Sequence, residues 1–231
     1  MEKKRKAVVL LSGGLDSTIC AVLACREFGA ENVIALTLFY GQKHAREIKS
    51  AEAVCEHLGI PEHYTESLPD IFRGAGSTLV DPDKPNPEMT YEELSQAYGI
   101  SPTYVPFRNA NFLSVATTVA LVKEADTIFY GAHAEDARNW AYPDCTPEFN
   151  GSMASAIYIG SYLKVRLVTP LQWLTKKDIV ALGITVNAPF ELTWSCYNGQ
   201  EKACGVCSTC VGRLQAFQEN NIRDPIEYEQ R

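Results

Sequence analysis

The sequence lacks a hydrophobic run long enough to cross a membrane. A membrane-spanning helix needs about 20 consecutive apolar residues, and no segment of the 231-residue chain approaches that length. The basic N-terminus followed by the apolar residues 7–11 resembles the start of a signal peptide, but the hydrophobic region of such a peptide needs about 7 to 15 residues. We therefore expect a cytoplasmic protein without a membrane partner.

Basic residues are also scarce. The 21 lysines and arginines are outnumbered by 28 aspartates and glutamates, which gives a formal net charge of -7. Proteins that bind nucleic acid normally neutralise phosphates with lysine and arginine, so this balance argues against a nucleic-acid partner and favours a small-molecule substrate. The length and a hydrophobic content of 46% allow one sizeable core with a small appendage.

Two common nucleotide-binding signatures are missing, the Walker A motif and Gly-x-Gly-x-x-Gly, yet the start of the chain predicts a phosphate site. The apolar run 7–11 is typical of a buried parallel strand and leads into Ser12-Gly13-Gly14-Leu15-Asp16-Ser17. The two glycines permit a sharp turn that brings backbone N–H groups and a helix N-terminus to an anion. Asp16 would repel a bare phosphate, which suggests Mg²⁺ between the two. The alternative is a glycine-rich turn without a chemical role.

The rest of the chain alternates between strand-like and helical patterns, which predicts a doubly wound, mainly parallel α/β sheet. The predicted strands are 7–11, 32–39, 63–66, 126–130 and 164–169. The predicted helices are 16–28, 44–58, 109–124, 148–162 and 175–182. The helix 109–124 is apolar nearly all round, so we expect it to be central and buried. Residues 69–104 show little periodicity, and 81–88 is predicted to be a loop, either a mobile lid or a long insertion.

Chemistry is expected in the loops after the strands, because ligands of open parallel sheets lie beyond the carboxyl ends of the strands. Arg108, at a predicted helix start, is either a partner for an α-phosphate or carboxylate or a surface residue. Residues 131–136 carry His133 and Asp136 directly after a buried strand; the alternative is a satisfied histidine with solvated carboxylates. Three further cations are candidates to assist phosphate charge or are surface residues: Lys164, Arg166 and Lys176.

Cysteines fall into two groups. Four are scattered and are predicted to be core thiols: Cys20, Cys25, Cys55 and Cys145. The other four lie within fifteen residues as Cys-x7-Cys-x2-Cys-x2-Cys: Cys196, Cys204, Cys207 and Cys210. Such spacing suits one tetrahedral ion better than two disulfides in a reducing cell. Zinc in a structural site is the leading interpretation, and an iron–sulfur cluster is the alternative.

The segment Ser12 to Ser17 resembles the pyrophosphate loop of N-type ATP pyrophosphatases, which include GMP synthetase, asparagine synthetase and tRNA-thiolating and lysidine-forming enzymes. Nearly the whole chain resembles one branch of that group, the 7-cyano-7-deazaguanine synthases of 7-deazapurine (queuosine) biosynthesis. The matching segments, besides the loop and the cysteine pattern, are 105–109, 142–149, 169–171 and 191–196. One departure is the stretch 131–142, which is more polar than in many members.

The resemblance implies a Rossmann-like fold of the adenine nucleotide alpha hydrolase type over residues 1–190, followed by a zinc-binding tail with a C-terminal helix over 191–231. It implies a catalytic role for Asp16, Ser17, Arg108 and Asp136. The ATP-binding residues that it implies are Leu11, Ser12, Gly13, Gly14, Leu15, Asp16, Ser17, Thr18, Ile19, Cys20 and Ala21. Asp136, Asp144 and Glu148 are candidates to accept the adjacent N–H donors of a deazaguanine.

The implied reaction is the ATP-dependent conversion of 7-carboxy-7-deazaguanine and free ammonia to the nitrile. An adenylated carboxylate would give an amide, and a second activation would remove its oxygen, with Mg²⁺ neutralising charge. The resemblance also implies a homodimer, whose interface the apolar surroundings of Trp194 would suit. Two alternatives are a tRNA-thiolating or lysidine-forming enzyme, which usually carries an added basic module, and a non-catalytic nucleotide-binding module.

Overall fold

The core of the protein is a five-stranded parallel sheet with strand order β3-β2-β1-β4-β5. A computed structural model describes residues 4–42, 46–68, 71–198 and 201–229. The strands are β1 Ala7–Leu10, β2 Val33–Phe39, β3 Glu62–Ser67, β4 Thr127–Phe129 and β5 Arg166–Val168. Branched and apolar residues dominate the first two strands, as expected for strands that are covered on both faces.

Helices cover both faces of the sheet. They are α1 Leu15–Phe28, α2 Arg46–Leu58, α3 Tyr91–Tyr98, α4 Arg108–Val122, α5 Ala134–Ala137, α6 Pro147–Gly160, α7 Lys176–Thr185 and α8 Ser208–Glu219. One face of β1 packs with α1, α2, α7 and α8. The other face packs with α4 and α6. The prediction of a doubly wound parallel sheet is therefore confirmed.

The strand order reverses at β1. From β1 the chain adds β2 and β3 on one side, and then returns to add β4 and β5 on the other. The carboxyl ends of β1 and β4 consequently diverge at a crevice, which is where open α/β sheets bind their ligands. Residues 11–14 follow β1 at this edge, and residues 130–133 follow β4.

Most predicted elements agree with the structure to within one to three residues, and the predicted loop 81–88 contains no helix or strand. One helix was not predicted, and one expectation is wrong. The region 69–104 contains the helix α3, which begins with a capping box: the Glu93 carboxylate accepts the Thr90 N–H at 2.8 Å, and Thr90 Oγ1 accepts the Glu93 N–H at 3.2 Å. The helix α4 is not buried all round, since Leu121 and Val122 are 41% and 72% exposed. The predicted start of α2 at His44 lies outside the described residues.

In the described part of the chain, no helix is both long and apolar enough to cross a membrane.

The packing of α7 gives a test of the fold. A Cβ on Gly183 would come within 2.4 Å of the Phe190 ring, and that ring packs edge-on against Phe217 at 5.0 Å between centroids. Although alanine favours a helix over glycine by about 1 kcal/mol, we expect Gly183→Ala to lower the free energy of unfolding by about 1–3 kcal/mol through overpacking. Urea denaturation measures this change.

The matched control is Gly151→Ala in α6, where an added Cβ would meet no described atom within 4 Å. This variant is expected to raise the free energy of unfolding by about 0.5–1 kcal/mol. If Gly183→Ala stabilised the protein as Gly151→Ala does, the close packing of α7 against Phe190 would be contradicted.

Candidate active site

A cavity of about 240 Å³ lies at the carboxyl edge of the sheet, over the crevice between β1 and β4. Loops after β1, β2 and β4 line it, together with the first turns of α1, α2, α4 and α7. The segment 194–197 and two residues of α8 close a further side. Loops that lie far apart in sequence thus meet at the switch point of the sheet.

The turn after β1, Ser12–Ser17, is held in shape by its own serines, and we call it the pyrophosphate loop. The Ser12 N–H donates to Ser17 Oγ at 3.2 Å, and the Ser17 hydroxyl donates to the Gly14 carbonyl at 3.1 Å. Gly13 has a φ of +82°, and a Cβ there would come within 2.3 Å of the Glu47 carbonyl oxygen in α2. Only glycine fits this position, because both the backbone conformation and the space exclude a side chain.

Asp16 lies at the start of α1 and forms an ion pair with Lys176 at the start of α7. The Lys176 Nζ is 2.8 Å from both carboxylate oxygens of Asp16. It is also 3.0 Å from His133 Nε2, which lies 3.1 Å from the Asp136 carboxylate. Burial is the largest single effect and would raise the pKa of the Asp16 carboxyl, but the attraction of Lys176 and His133 and the hydrogen bonds to the carboxylate together outweigh it, so this pKa lies below its ordinary value.

Arg108 reaches the cavity from the first turn of α4. Its Nη1 donates to the Tyr40 hydroxyl at 3.1 Å, and its guanidinium carbon lies 5.1 Å from the centre of the Tyr40 ring and 5.5 Å from that of Phe112. Aromatic contacts of this kind hold a guanidinium in place while leaving N–H groups for an anion. Arg108 therefore lies in the cavity lining, where it could contact an anion, and is not a residue of the outer surface.

The cavity brings together a subset of the predicted site residues: Leu11, Ser12, Gly14, Leu15, Asp16, Ser17, Arg108 and Asp136. The predicted ATP-binding residues outside its lining are Gly13, Thr18, Ile19, Cys20 and Ala21. The last four belong to the buried turns of α1. Of the candidate cations, Lys176 lines the cavity, whereas Lys164 and Arg166 are exposed on the surface.

Two of the three candidate substrate residues, Asp144 and Glu148, lie outside the cavity lining. Asp144 is buried, and its carboxylate accepts the Asn109 N–H at 3.0 Å, so it caps the start of α4. Burial raises the pKa of the Asp144 carboxyl. Glu148 is exposed in the first turn of α6. Their role in recognising a substrate stays a prediction.

Two further lining residues, Tyr40 and Glu47, were not singled out from the sequence. Tyr40 directly follows β2, so its position at the carboxyl edge of the sheet was a usable signal. Glu47 sits in the first turn of a helix that begins several residues after its strand, and its approach to the loop depends on the fit of α2 against Gly13.

The four clustered cysteines form one compact group beside the cavity. Their sulfur atoms all lie within 4.8 Å of one another, and Cys204 Sγ is 3.9 Å from Cys210 Sγ. Four sulfurs at ~2.3 Å from a tetrahedral ion would lie about 3.8 Å apart, so the geometry fits a single metal ion. The backbone N–H groups of Asn198 and Cys204 donate to Cys196 Sγ at 3.3 and 3.4 Å, which suits a thiolate.

The cysteine cluster is connected directly to the pyrophosphate loop. The Trp194 N–H donates to the Gly13 carbonyl at 2.8 Å, and the Arg46 guanidinium stacks 3.8 Å from the centre of the Trp194 ring. Trp194 is 3% exposed and packs with the four cysteines. The expectation that its surroundings suit an interface between two copies is therefore wrong for this ring, while the homodimer itself stays a prediction.

A buried ion pair fixes the same segment from the other side. Arg213 in α8 makes two hydrogen bonds to the Asp224 carboxylate, at 2.7 and 3.0 Å, and donates to Thr193 Oγ1 at 2.6 Å. Both charged side chains are almost fully buried. The chain on either side of Trp194 is thus positioned by the four clustered cysteines and by α8.

Removal of metal should therefore be visible at Trp194. When a strong chelator strips the cysteine cluster, we expect the tryptophan emission to shift to longer wavelength, because the apolar surroundings of this buried ring depend on the four cysteines. Fluorescence spectroscopy, with elemental analysis of the metal released, measures the effect.

The Trp194→Phe variant is the control. The other two tryptophans, Trp140 and Trp173, are 59% and 76% exposed, so the variant should lose metal without a spectral shift. An unchanged spectrum of the unsubstituted protein after complete metal loss would contradict the packing of Trp194 on a metal site.

Fold and site together define a class: a doubly wound α/β protein whose ligand cavity is built on a pyrophosphate loop and flanked by a four-cysteine cluster. The family model described as "Queuosine biosynthesis protein QueC" matches residues 6–221. The chain belongs to this family.

Two similar proteins carry the same name. A 7-cyano-7-deazaguanine synthase from Koribacter versatilis is 46% identical over 225 residues, which cover 96% of this chain and 93% of the relative. The synthase of the same name from Acidobacterium capsulatum is 43% identical, with 99% of each chain covered. Among solved structures, an NH3-dependent NAD synthetase from Campylobacter jejuni is 17% identical with a TM-score of 0.48, over 83% of this chain and 68% of the other. At that distance the likeness says nothing of function.

Proposed function

We propose that this protein is an ATP-dependent C–N ligase that converts 7-carboxy-7-deazaguanine and ammonia to 7-cyano-7-deazaguanine. Membership of the QueC family and the name shared by its relatives support this activity. The observation that carries it is the placement of the pyrophosphate loop, the Asp16–Lys176 pair and Arg108 around one cavity. These groups suit a reaction that transfers AMP and releases pyrophosphate.

In the first half-reaction, a carboxylate oxygen of the acid attacks the α-phosphorus of ATP. The bond from that phosphorus to the bridging oxygen breaks, and pyrophosphate leaves. The N–H groups of the pyrophosphate loop and the Lys176 ammonium would hold the departing charge, while Arg108 would face the α-phosphate or the carboxylate. The work of these residues is orientation and charge stabilisation, since no nucleophilic side chain is needed.

Ammonia then attacks the acyl carbon, AMP leaves, and an amide remains. The amide oxygen attacks the α-phosphorus of a second ATP, after which the nitrogen loses its protons and the carbon–oxygen bond breaks to give the nitrile and AMP. Two molecules of AMP and two of pyrophosphate therefore form for each nitrile. Both activations would use the same cavity, because each presents an oxygen of the substrate to ATP.

Two metal ions fit the proposal. Mg²⁺ entering with ATP would share the Asp16 carboxylate with Lys176 and would spread the negative charge of the phosphates. For the four-cysteine cluster we propose structural zinc, because a multi-iron cluster would place its own iron and sulfide atoms among the thiolates and hold them farther apart. Through Trp194 the zinc site would support the Gly13 carbonyl and with it the loop.

For recognition of the deazaguanine edge we propose Asp136, which lines the cavity beside His133. A carboxylate can accept two adjacent N–H groups. Asp144 and Glu148 are less well placed in this structure, since the first is engaged with the start of α4 and the second is exposed.

The direct test is product analysis. The purified protein is incubated with magnesium-ATP, ammonium and 7-carboxy-7-deazaguanine, and mass spectrometry and nucleotide chromatography follow the products. We expect the nitrile, with two AMP formed for each nitrile. Formation of ADP, or no consumption of ATP in the presence of the acid, would contradict the proposal.

Lys176 offers a sharper test because a matched lysine follows it. Lys176→Ala removes the cation that faces Asp16 and the loop, so kcat/KM for ATP should fall about 10²- to 10³-fold, as for loss of one charge-stabilising donor. Lys177→Ala, at an exposed position of the same helix, should retain nearly the full rate. Steady-state release of pyrophosphate measures both variants, and equal rates for the two would exclude the role of Lys176.

A further inference from the structure

Three carboxylates line the cavity, and one of them differs from the other two. Asp16 is paired with Lys176, and Asp136 lies 3.1 Å from His133 Nε2. Glu47 also lines the cavity, but its carboxylate has neither a hydrogen bond nor an ion pair with any residue that the structure describes. Arg108 still attracts this carboxylate, but no described cation is in direct contact with it.

The position of Glu47 is fixed by its own backbone. Its carbonyl oxygen lies against Gly13 so closely that a Cβ there would be 2.3 Å away, and the Ala51 N–H group is similarly close at 2.6 Å. The first turn of α2 is thus pressed onto the pyrophosphate loop, and the Glu47 side chain enters the cavity beside that loop. The cavity lining also includes the apolar residues Leu38, Ile48 and Leu79, together with the polar residues Tyr40, Gln42 and Arg108.

These surroundings change the acidity of Glu47. Burial raises the pKa of its carboxyl to about 7, and the attraction of Arg108 offsets only part of this effect. A carboxylate of this kind is a stronger base than an ordinary glutamate, and its conjugate acid still forms near neutral pH. A general acid–base residue is most effective when its pKa lies near the working pH.

The proposed reaction needs such a group. At neutral pH, dissolved ammonia is almost entirely protonated to ammonium. Ammonium has no lone pair with which to attack an acyl adenylate. The cations Lys176 and Arg108 repel it, so ammonium needs a negative group that is not already paired. We infer that Glu47 is the ammonium-binding residue of this cavity and the base that turns ammonium into the nucleophile; the inference rests on the proposed function.

One N–H bond of ammonium breaks, its proton passes to the Glu47 carboxylate, and ammonia is released next to the adenylate. The nitrogen lone pair forms the new C–N bond, and the C–O bond to AMP breaks with its electrons on the AMP oxygen. The second proton lost from nitrogen leaves with solvent once Glu47 has given up the first. No oxidant, reductant or other co-reactant is needed.

The Glu47→Gln variant tests the inference, because it keeps the size of the side chain and removes the charge. We expect kcat/KM for ammonium to fall roughly 10²-fold or more, the usual contribution of a general base. The acid-dependent exchange of labelled pyrophosphate into ATP, which requires no ammonia, should stay close to that of the unsubstituted protein. The control is Glu52→Gln, at an exposed position of the same helix, which should alter neither reaction.

Hydroxylamine separates a base from a structural residue, since it is a neutral nucleophile near pH 7 and needs no deprotonation before it attacks. Hydroxamate formation by Glu47→Gln should therefore be nearly normal while its use of ammonium is lost. Equal losses of activity with ammonium, with hydroxylamine and in pyrophosphate exchange would overturn the inference and indicate a structural role for Glu47. An increased Mg²⁺ requirement of the exchange would also overturn it and would indicate that Glu47 is a metal ligand. Unchanged use of ammonium would also overturn it.

If the proposed function itself is wrong, the experiments give a different result from the failure of the Glu47 inference alone. If the unsubstituted protein catalysed no exchange of pyrophosphate into ATP with 7-carboxy-7-deazaguanine, the activation step itself would be absent. That result would overturn the proposed function, and the ammonium role with it, before any variant was compared.

Discussion

The close contact around Gly13 is the constraint on which the site depends. The backbone of α2 packs against its Cα on one side, and the Trp194 N–H binds its carbonyl on the other. This double contact fixes a turn that would otherwise be free to move, because glycine restricts the backbone less than any other residue. A loop held in this way can present its N–H groups to phosphate without reorganising, which is where electrostatic catalysis gains most.

That contact explains why the cysteine cluster lies next to the cavity rather than at a remote surface. The four cysteines and the buried Arg213–Asp224 pair order the segment that carries Trp194. A metal ion bound by the cysteines would fix this short segment, which has no strand or long helix of its own. The tail thus contributes one wall of the site as well as support for the loop.

The sequence predicted those parts of the site that depend on local chemistry. The loop after β1, the residues after β4 and the cysteine spacing all bear their signal within a few neighbouring positions. Glu47 and Lys176 could not be assigned in the same way, because their roles arise when α2 and α7 pack beside the loop, and each would suit an exposed helix face equally well. The exposure of Leu121 and Val122 has a similar cause, since composition alone does not say how far along the sheet a helix is covered.

The cavity contains positive and negative side chains with different proposed roles. In the proposed reaction Lys176 and Arg108 would face phosphate or carboxylate, whereas Glu47, which makes no direct ion pair with a described residue, would face ammonium. A reaction that joins an anionic nucleotide and acid with a nitrogen that arrives as a cation needs both. In the proposed mechanism, activation would take place at the loop and amination beside α2, within one cavity.

The central claim is that AMP is joined to the substrate twice at this loop. The transfer of oxygen from the acid to AMP tests this claim. The acid is prepared with ¹⁸O in both carboxylate oxygens, and the products are examined by mass spectrometry and ³¹P NMR. We expect every AMP to carry one ¹⁸O from the acid, because each departing oxygen leaves on the α-phosphorus. Label that appeared in inorganic phosphate or water, with unlabelled AMP, would contradict it.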